Sequence, residues 1–410
     1  MKKFFALLLS LAMVLALVAC GQKDPTPDTP DTPDDPQTKV EYKVAMITDY
    51  GDITDQSFNQ TTYEACKAFA EDNSIEFSYF RPAGDNTADR VAMIEKAVDE
   101  GFNVIVMPGY AFGGAIVEAA PEFPDVKFIA LDVAAGDLLE TAVAKAGETY
   151  DYTPENWDLN KYVDMSNVYC AVYQEELCGY MAGYAAVKLG YKNLGFLGGM
   201  SVPAVVRYGY GFVQGVDAAA ADLGLTDVKV NYIYGDQFFG DADITAVMDT
   251  WYQGGTEVVF ACGGGIYTSA VDAAKKVGAK VIGVDVDQAG LIAKYAGVDG
   301  MTVTSAMKGL YPATYDTLTD VIVNGNWDKY VGKIATLGLV SGTDPEANYV
   351  QIPMGDGTQW SDSFTQDDYK AMVKDMFDGK ITVSNNTSSD VSAADFATVI
   401  TVDDQGSIKG

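Results

Sequence analysis

The sequence predicts an α/β protein of two doubly wound lobes with a ligand cleft between them. Three observations predict it. From Tyr42 onward, short continuously apolar runs alternate with amphipathic helical stretches, the pattern of a parallel sheet covered on both faces. A polar and aromatic stretch, Gly136–Ser166, breaks that alternation, which then starts again as a second set. Beyond the N-terminal segment about 370 residues remain, more than one core usually organises.

The first forty residues stand apart. Met1-Lys-Lys3 is basic, Phe4–Val18 is apolar, and Leu17-Val-Ala-Cys20 places small residues before a cysteine. Residues 1–19 therefore read as a lipoprotein signal peptide, with Cys20 lipidated. The apolar run is shorter than the ~20 residues of a membrane-spanning helix. Residues 20–40, rich in Pro, Asp and Thr, cannot bury a core and read as an extended tether. The expected location is the extracytoplasmic face of a cell membrane, with attachment through the lipid on Cys20.

Residues 41–166 are expected to form the first lobe. Its strands fall at 42–48, 76–80, 103–107 and 127–131, the last ending in Asp132, with a helix starting near Thr61 and Gly136–Ser166 as a long insertion. Residues 167–300 are expected to form the second lobe. Its strands fall at 168–173, 193–197, 228–234, 257–261 and 280–284, with helices between them. Residues 301–384 read as crossover segments completing both lobes, including a last strand at 380–384, and 385–410 as a peripheral tail.

Composition narrows the function. With 27 basic and 58 acidic residues the formal charge is −31, and the acids are scattered, which argues against nucleic acid as a partner. Histidine is absent, removing Ser-His-Asp and Cys-His catalysis and the commonest zinc sites. Cys66, Cys170, Cys178 and Cys262 lack paired spacing and sit in apolar patterns, so they read as buried thiols, with a Cys170–Cys178 disulfide as the alternative. There is no GxGxxG or GxxxxGK[ST] motif. An Asp285/Asp287 pair could hold a metal, but scaffold carboxylates are commoner. Neither a cofactor nor a metal is expected.

What the alternation brings together is a set of residues just past strand ends. They are Asp49, Asp132, Phe238-Phe239 before Asp241, Gly263-Gly-Gly265, Asp285, and Lys308 after Ser305. In open α/β sheets ligands bind at the carboxyl edge, where these residues would converge. Each alone has an ordinary explanation as a helix cap or a tight turn. The loop Asp49-Tyr-Gly-Asp-Ile-Thr-Asp-Gln-Ser-Phe-Asn-Gln60 adds carboxylates, amides and a ring, the means to orient a ligand and wall it in.

That loop resembles the signature of the basic membrane protein family, substrate-binding lipoproteins of ABC importers that include purine nucleoside receptors. Phe128-Ile-Ala-Leu-Asp132, the Gly-x-x-x-Gly of Gln174–Gly183, Gly195-Phe-Leu-Gly-Gly199, Gly211-Phe-Val-Gln-Gly215, Gly263-Gly-Gly265, Val281–Gln288 and Thr304-Ser-Ala-Met-Lys308 agree in the same order. The resemblance implies a type I periplasmic-binding-protein fold and no enzymatic activity. It further implies a purine sandwiched between Phe58 and Phe239, carboxylate contacts from Asp49, Asp132 and Asp285, and a lysine at Lys308. Asn59 and Gly264 in the matching stretches complete the expected contacts. The implied partners are an ABC permease and its ATPase. Tyr63 stands where the family usually has Trp, and Phe238 leaves the stacking ring open by one residue. The alternatives are another small solute such as a sugar or signalling molecule, a nucleoside hydrolase, and an adhesin using the 136–166 insertion.

Overall fold

The computed structural model describes residues 41–409; the signal peptide expected over 1–19, the lipidation expected at Cys20 and the tether expected over 20–40 lie outside the described residues. The strands are β1 (Lys43–Ile47), β2 (Glu76–Phe80), β3 (Val104–Pro108), β4 (Lys127–Leu131), β5 (Val168–Tyr173), β6 (Asn193–Gly198), β7 (Lys229–Tyr234), β8 (Val258–Cys262), β9 (Lys280–Asp285), β10 (Thr302–Lys308), β11 (Lys333–Leu337), β12 (Val350–Gln351) and β13 (Thr401–Ser407). The helices are α1 (Phe58–Asn73), α2 (Thr87–Asp99), α3 (Gly113–Ala119), α4 (Ala135–Lys145), α5 (Leu159–Tyr162), α6 (Glu175–Lys188), α7 (Pro203–Leu223), α8 (Ala242–Gln253), α9 (Tyr267–Val277), α10 (Ala289–Ala296), α11 (Leu310–Leu318) and α12 (Gln366–Phe377).

Two sheets result. The first runs β2-β1-β3-β4-β5-β11 and is parallel throughout. The second runs β13-β7-β6-β8-β9-β10-β12, parallel except where β12 meets β10. Central strands such as Val44–Ile47 and Val258–Cys262 are buried on both faces, which is why they read as unbroken apolar runs rather than alternations.

The chain passes between the halves at Tyr173-Gln174, Lys308-Gly309 and Leu337-Gly338. These crossings are tied to one another: Gln174 N donates to Leu337 O at 2.9 Å, and Tyr349 N donates to Gly338 O at 3.0 Å. A Cβ on Gly338 would lie 1.6 Å from Gln174 Oε1, so a larger residue there would displace the Gln174 side chain from between the crossings.

Behind the crossings, α6 and α7 pack backbone to backbone. Cβ atoms built on Gly179 and Gly183 would stand 2.3 Å from Tyr208 O and Phe212 O. Those on Gly211 and Gly215 would stand 2.1 Å from Glu176 O and Tyr180 O. Two small-x-x-x-small stripes thus face each other, and this close approach brings Glu175 and Arg207 side by side at the edge of the cleft.

Four expectations are corrected. Val168–Tyr173, expected to open the second lobe, is β5 of the first sheet, paired to β4 and β11. The stretch 136–166 begins as an ordinary crossover helix, α4, whose Leu138, Leu139, Ala142 and Val143 are buried. Residues 380–384 form no strand. The tail is not peripheral: β13 lies along β7 in parallel and forms the edge of the second sheet. The described cysteines Cys66, Cys170, Cys178 and Cys262 are free and buried, so Cys170–Cys178 is not a disulfide.

Candidate functional site

The carboxyl edges of the two sheets enclose a cavity of about 530 Å³, within the ~300–1,000 Å³ typical of small-molecule sites. The structure places Asp49, Phe58, Asn59, Asp132, Phe239, Gly264, Asp285 and Lys308 all on its wall. Tyr50, Tyr110, Asp137, Arg207 and Tyr208 also line it and were not singled out from the sequence.

Its first wall is built by the loop after β1. Asp49 Oδ1 accepts from the amides of Tyr50 and Gly51 at 2.6 and 2.7 Å and from Asn59 Nδ2 at 3.1 Å, so the aspartate shapes the turn it sits in. The start of α1 is capped unusually. Ser57, in the N-cap position, makes no side-chain cap. Instead Asp55 accepts from the amides of Ser57, Asn59 and Gln60 at 2.9–3.0 Å, satisfying donors a helix end leaves open. The Ser57 hydroxyl is thereby released and donates across the cleft to Asp285 Oδ2 at 2.5 Å.

Asp132 and Asp285 occupy equivalent places in the two sheets, at the ends of β4 and β9. Both adopt the left-handed conformation, with φ of 58° and 64°, tolerated better by Asp than by most residues and concentrated at functional sites. Between them lies Lys308 at the end of β10. Its ammonium is 2.5 Å from Asp132 Oδ2, 3.5 Å from Asp285 Oδ1 and 3.7 Å from Glu175 Oε1. It also stands 4.7 Å from the centre of the Phe58 ring, occupying one face of it.

The electrostatics follow from burial. Burial disfavours the charge on Lys308, but Asp132, Asp285 and Glu175 outweigh it and hold the ammonium well above the usual lysine range. Burial pushes the Asp132 carboxyl above the usual carboxylate range, and the neighbouring Lys308 ammonium opposes that rise. Asp137, in the first turn of α4, is pushed by burial up to about 7. The Arg207 guanidinium is held 2.7 Å from Glu175 Oε2.

Not every expected contact is equally open. Both oxygens of Asp285 already accept from the protein, from Ser57 and, at 3.3 Å, from Tyr208. Asp132 Oδ1 and Asn59 Oδ1, by contrast, are buried with no hydrogen-bond partner. The two phenylalanines of the second half also differ. Phe238 is wedged against Gly199 and Gly263, where a Cβ would meet its ring at 2.4 and 2.7 Å. Phe239 is 58% exposed, a ring free to meet a ligand.

Among the described residues, no group of acidic, Cys or His side chains could hold a metal ion, and no helix is long and apolar enough to cross a membrane.

Comparison with known proteins identifies the family and the fold. The chain is 25% identical over 389 residues to the ABC transporter nucleoside-binding protein BmpA of Lactococcus lactis, covering 92% of this chain and 96% of that one. It is 26% identical to basic membrane protein B of Borreliella burgdorferi, covering 76% and 83%. Solved solute-binding proteins of ABC transporter systems from Aeropyrum pernix and Conexibacter woesei share the fold. Each has a TM-score of 0.59, at 19% and 20% identity, covering 83% and 84% of this chain and 87% and 99% of theirs. Residues 42–345 match the Bmp family, described as "ABC transporter substrate-binding protein PnrA-like". The chain belongs to that family, and is a substrate-binding protein of an ABC transporter rather than an enzyme.

Proposed function

We propose that the protein captures a purine nucleoside in this cleft and hands it to a permease driven by an ATPase, while tethered by lipid on Cys20 outside the membrane. The observation that carries the reading is the pairing, in one enclosed cavity, of an accessible ring from each half with buried acceptors that lack donors. Phe58 and Phe239 offer flat apolar faces, and stacking contributes ~0.5–1.5 kcal/mol beyond area burial.

Asp132 Oδ1 and Asn59 Oδ1 accept donors from ribose hydroxyls or ring N–H groups, a carboxylate contact contributing ~1.5–3 kcal/mol. Six aspartates line the cavity (Asp49, Asp52, Asp55, Asp132, Asp137 and Asp285) against Arg81, Arg207 and Lys308. All three cations are engaged by carboxylates: Arg81 by Asp52, Arg207 by Glu175, Lys308 by Asp132. An added phosphate meets net negative charge, which favours a nucleoside over a nucleotide. The Lactococcus relative, named as nucleoside-binding, supports the same ligand class.

Protein purified from cells is to be denatured and the small molecule it releases identified by mass spectrometry. A purine nucleoside in near-stoichiometric amount is expected. Release of a sugar instead would discard the reading.

A further inference from the structure

The segment after Ala393 reaches the site from behind, beyond the span 42–345 that carries the family match. β13 runs along β7 until its register shifts between Asp404 and Ser407, where Gly406 takes a φ of 68°. After that shift the chain follows β7 past its end, with Ile408 N donating to Tyr234 O at 2.9 Å. The next residues beyond β7 are the loop Gly235–Asp241, which carries Phe238 and Phe239.

Two residues of the tail grip that loop. The Ser407 hydroxyl and, at 3.0 Å, the Lys409 amide both donate to Asp236 Oδ2. Asp236 is itself left-handed, with φ of 59°, a conformation the loop needs a partner to hold. The Lys409 ammonium then donates to Gln237 Oε1 and, at 3.2 Å, to Asp241 Oδ2. Gln237 Nε2 donates in turn to Phe239 O at 2.9 Å and to Asp241 Oδ2 at 3.0 Å. Lys409 thus closes a ring of hydrogen bonds with Gln237 and Asp241, from which Gln237 reaches the Phe239 carbonyl. Trp251 Nε1 donates to Gln405 Oε1 at 3.2 Å, fastening β13 to α8 on the other side.

We propose that β13 and Lys409 form a clasp that positions the loop 235–241 and so sets the Phe239 ring at the cleft. Lys409 is a positioning residue: it is not among the residues lining the cavity and acts through Gln237 and Asp241. The Phe239 side chain is largely exposed, so its place is set through its backbone, which bridges to Gly265 on one side and is held through Gln237 and Lys409 on the other. The use of the clasp for ligand binding rests on the nucleoside reading above; the clasp itself does not.

The test is hydrogen exchange over residues 235–241 together with inosine titration of the chain from Thr38. Lys409→Ala, Lys409→Arg, Phe239→Ala and the double variant Lys409→Ala/Phe239→Ala are compared with the parent. Expected is faster exchange of the loop in Lys409→Ala, with inosine bound about 3–10-fold more weakly, a loss that Lys409→Arg recovers and that disappears in the Phe239→Ala background. Unchanged exchange in Lys409→Ala overturns the clasp. An equal loss of affinity with and without Phe239 overturns its action through the ring. If inosine binds neither parent nor variants, the nucleoside reading has failed, and the exchange data still decide the clasp.

Discussion

Lys308 of the second sheet places its ammonium 2.5 Å from the carboxylate of Asp132 of the first. Both side chains are less than a tenth exposed, and the lysine also faces Asp285 and Glu175. Removing one partner of a buried pair leaves charge uncompensated, at a cost of ~3–5 kcal/mol. Lys308→Met is therefore predicted to lower stability by about that much in urea denaturation. Adding Asp132→Asn to it is predicted to recover part of the loss.

Stability is predicted to fall as pH rises from about 4 to about 7. Burial raises Asp137 to about 7 and Glu176 to about 7, so each holds its proton more tightly folded than unfolded. The stabilising contribution is complete below the unfolded carboxylate range, near 4, and is lost as pH rises through the folded value. Each group contributes roughly 1.4 kcal/mol per pH unit across that window. Melting temperature measured from pH 4.5 to 8 is expected to decline, and Asp137→Asn with Glu176→Gln to flatten the decline.

The contact between α6 and α7 tolerates no added methyl. In Gly211→Ala the new carbon would lie 2.1 Å from Glu176 O, a backbone atom that cannot swing aside. Overpacking costs typically ~1–3 kcal/mol, and the shifted helix carries Arg207. Urea denaturation is expected to show a loss at or above that range, and ligand affinity to fall with it.

Phe239→Ala is predicted to separate binding from stability. Its ring is 58% exposed, so melting temperature is expected to hold. Burying a phenylalanine against a ligand contributes ~1.5–3 kcal/mol, so nucleoside affinity is expected to drop roughly 10–100-fold. Phe238→Ala, which empties the space over Gly199 and Gly263, is expected to lower both.

The parallel strands were legible because burial on both faces makes them unbroken apolar runs, and their ends named Asp132, Phe239, Asp285 and Lys308 among the residues that line the cavity. Pairing was less legible. The run Val168–Tyr173 says that a strand exists, not which sheet it joins, and β5 pairs with β4 rather than starting the second sheet. The helix α4 did carry a signal, since Leu138, Leu139, Ala142 and Val143 share one face, but the aromatic residues after it drew attention to a loop. β13 carried almost none: Asp403, Asp404, Gln405 and Gly406 are exposed on an edge, where backbone pairing rather than apolar burial holds a strand. The Ser57–Asp285 bond was hidden for another reason. The helix was expected to start near Thr61, and only the structure shows it starting at Phe58, with Asp55 capping it and Ser57 free to cross the cleft.

The most direct measurement is calorimetric titration of the chain from Thr38, unfolded and refolded to strip any carried ligand, with inosine, guanosine, adenosine, cytidine and ribose. Tight binding of the purine nucleosides, with cytidine and ribose weak or silent, is the predicted result. Silence from the purines, or ribose binding as tightly as inosine, would contradict the capture of a base between Phe58 and Phe239.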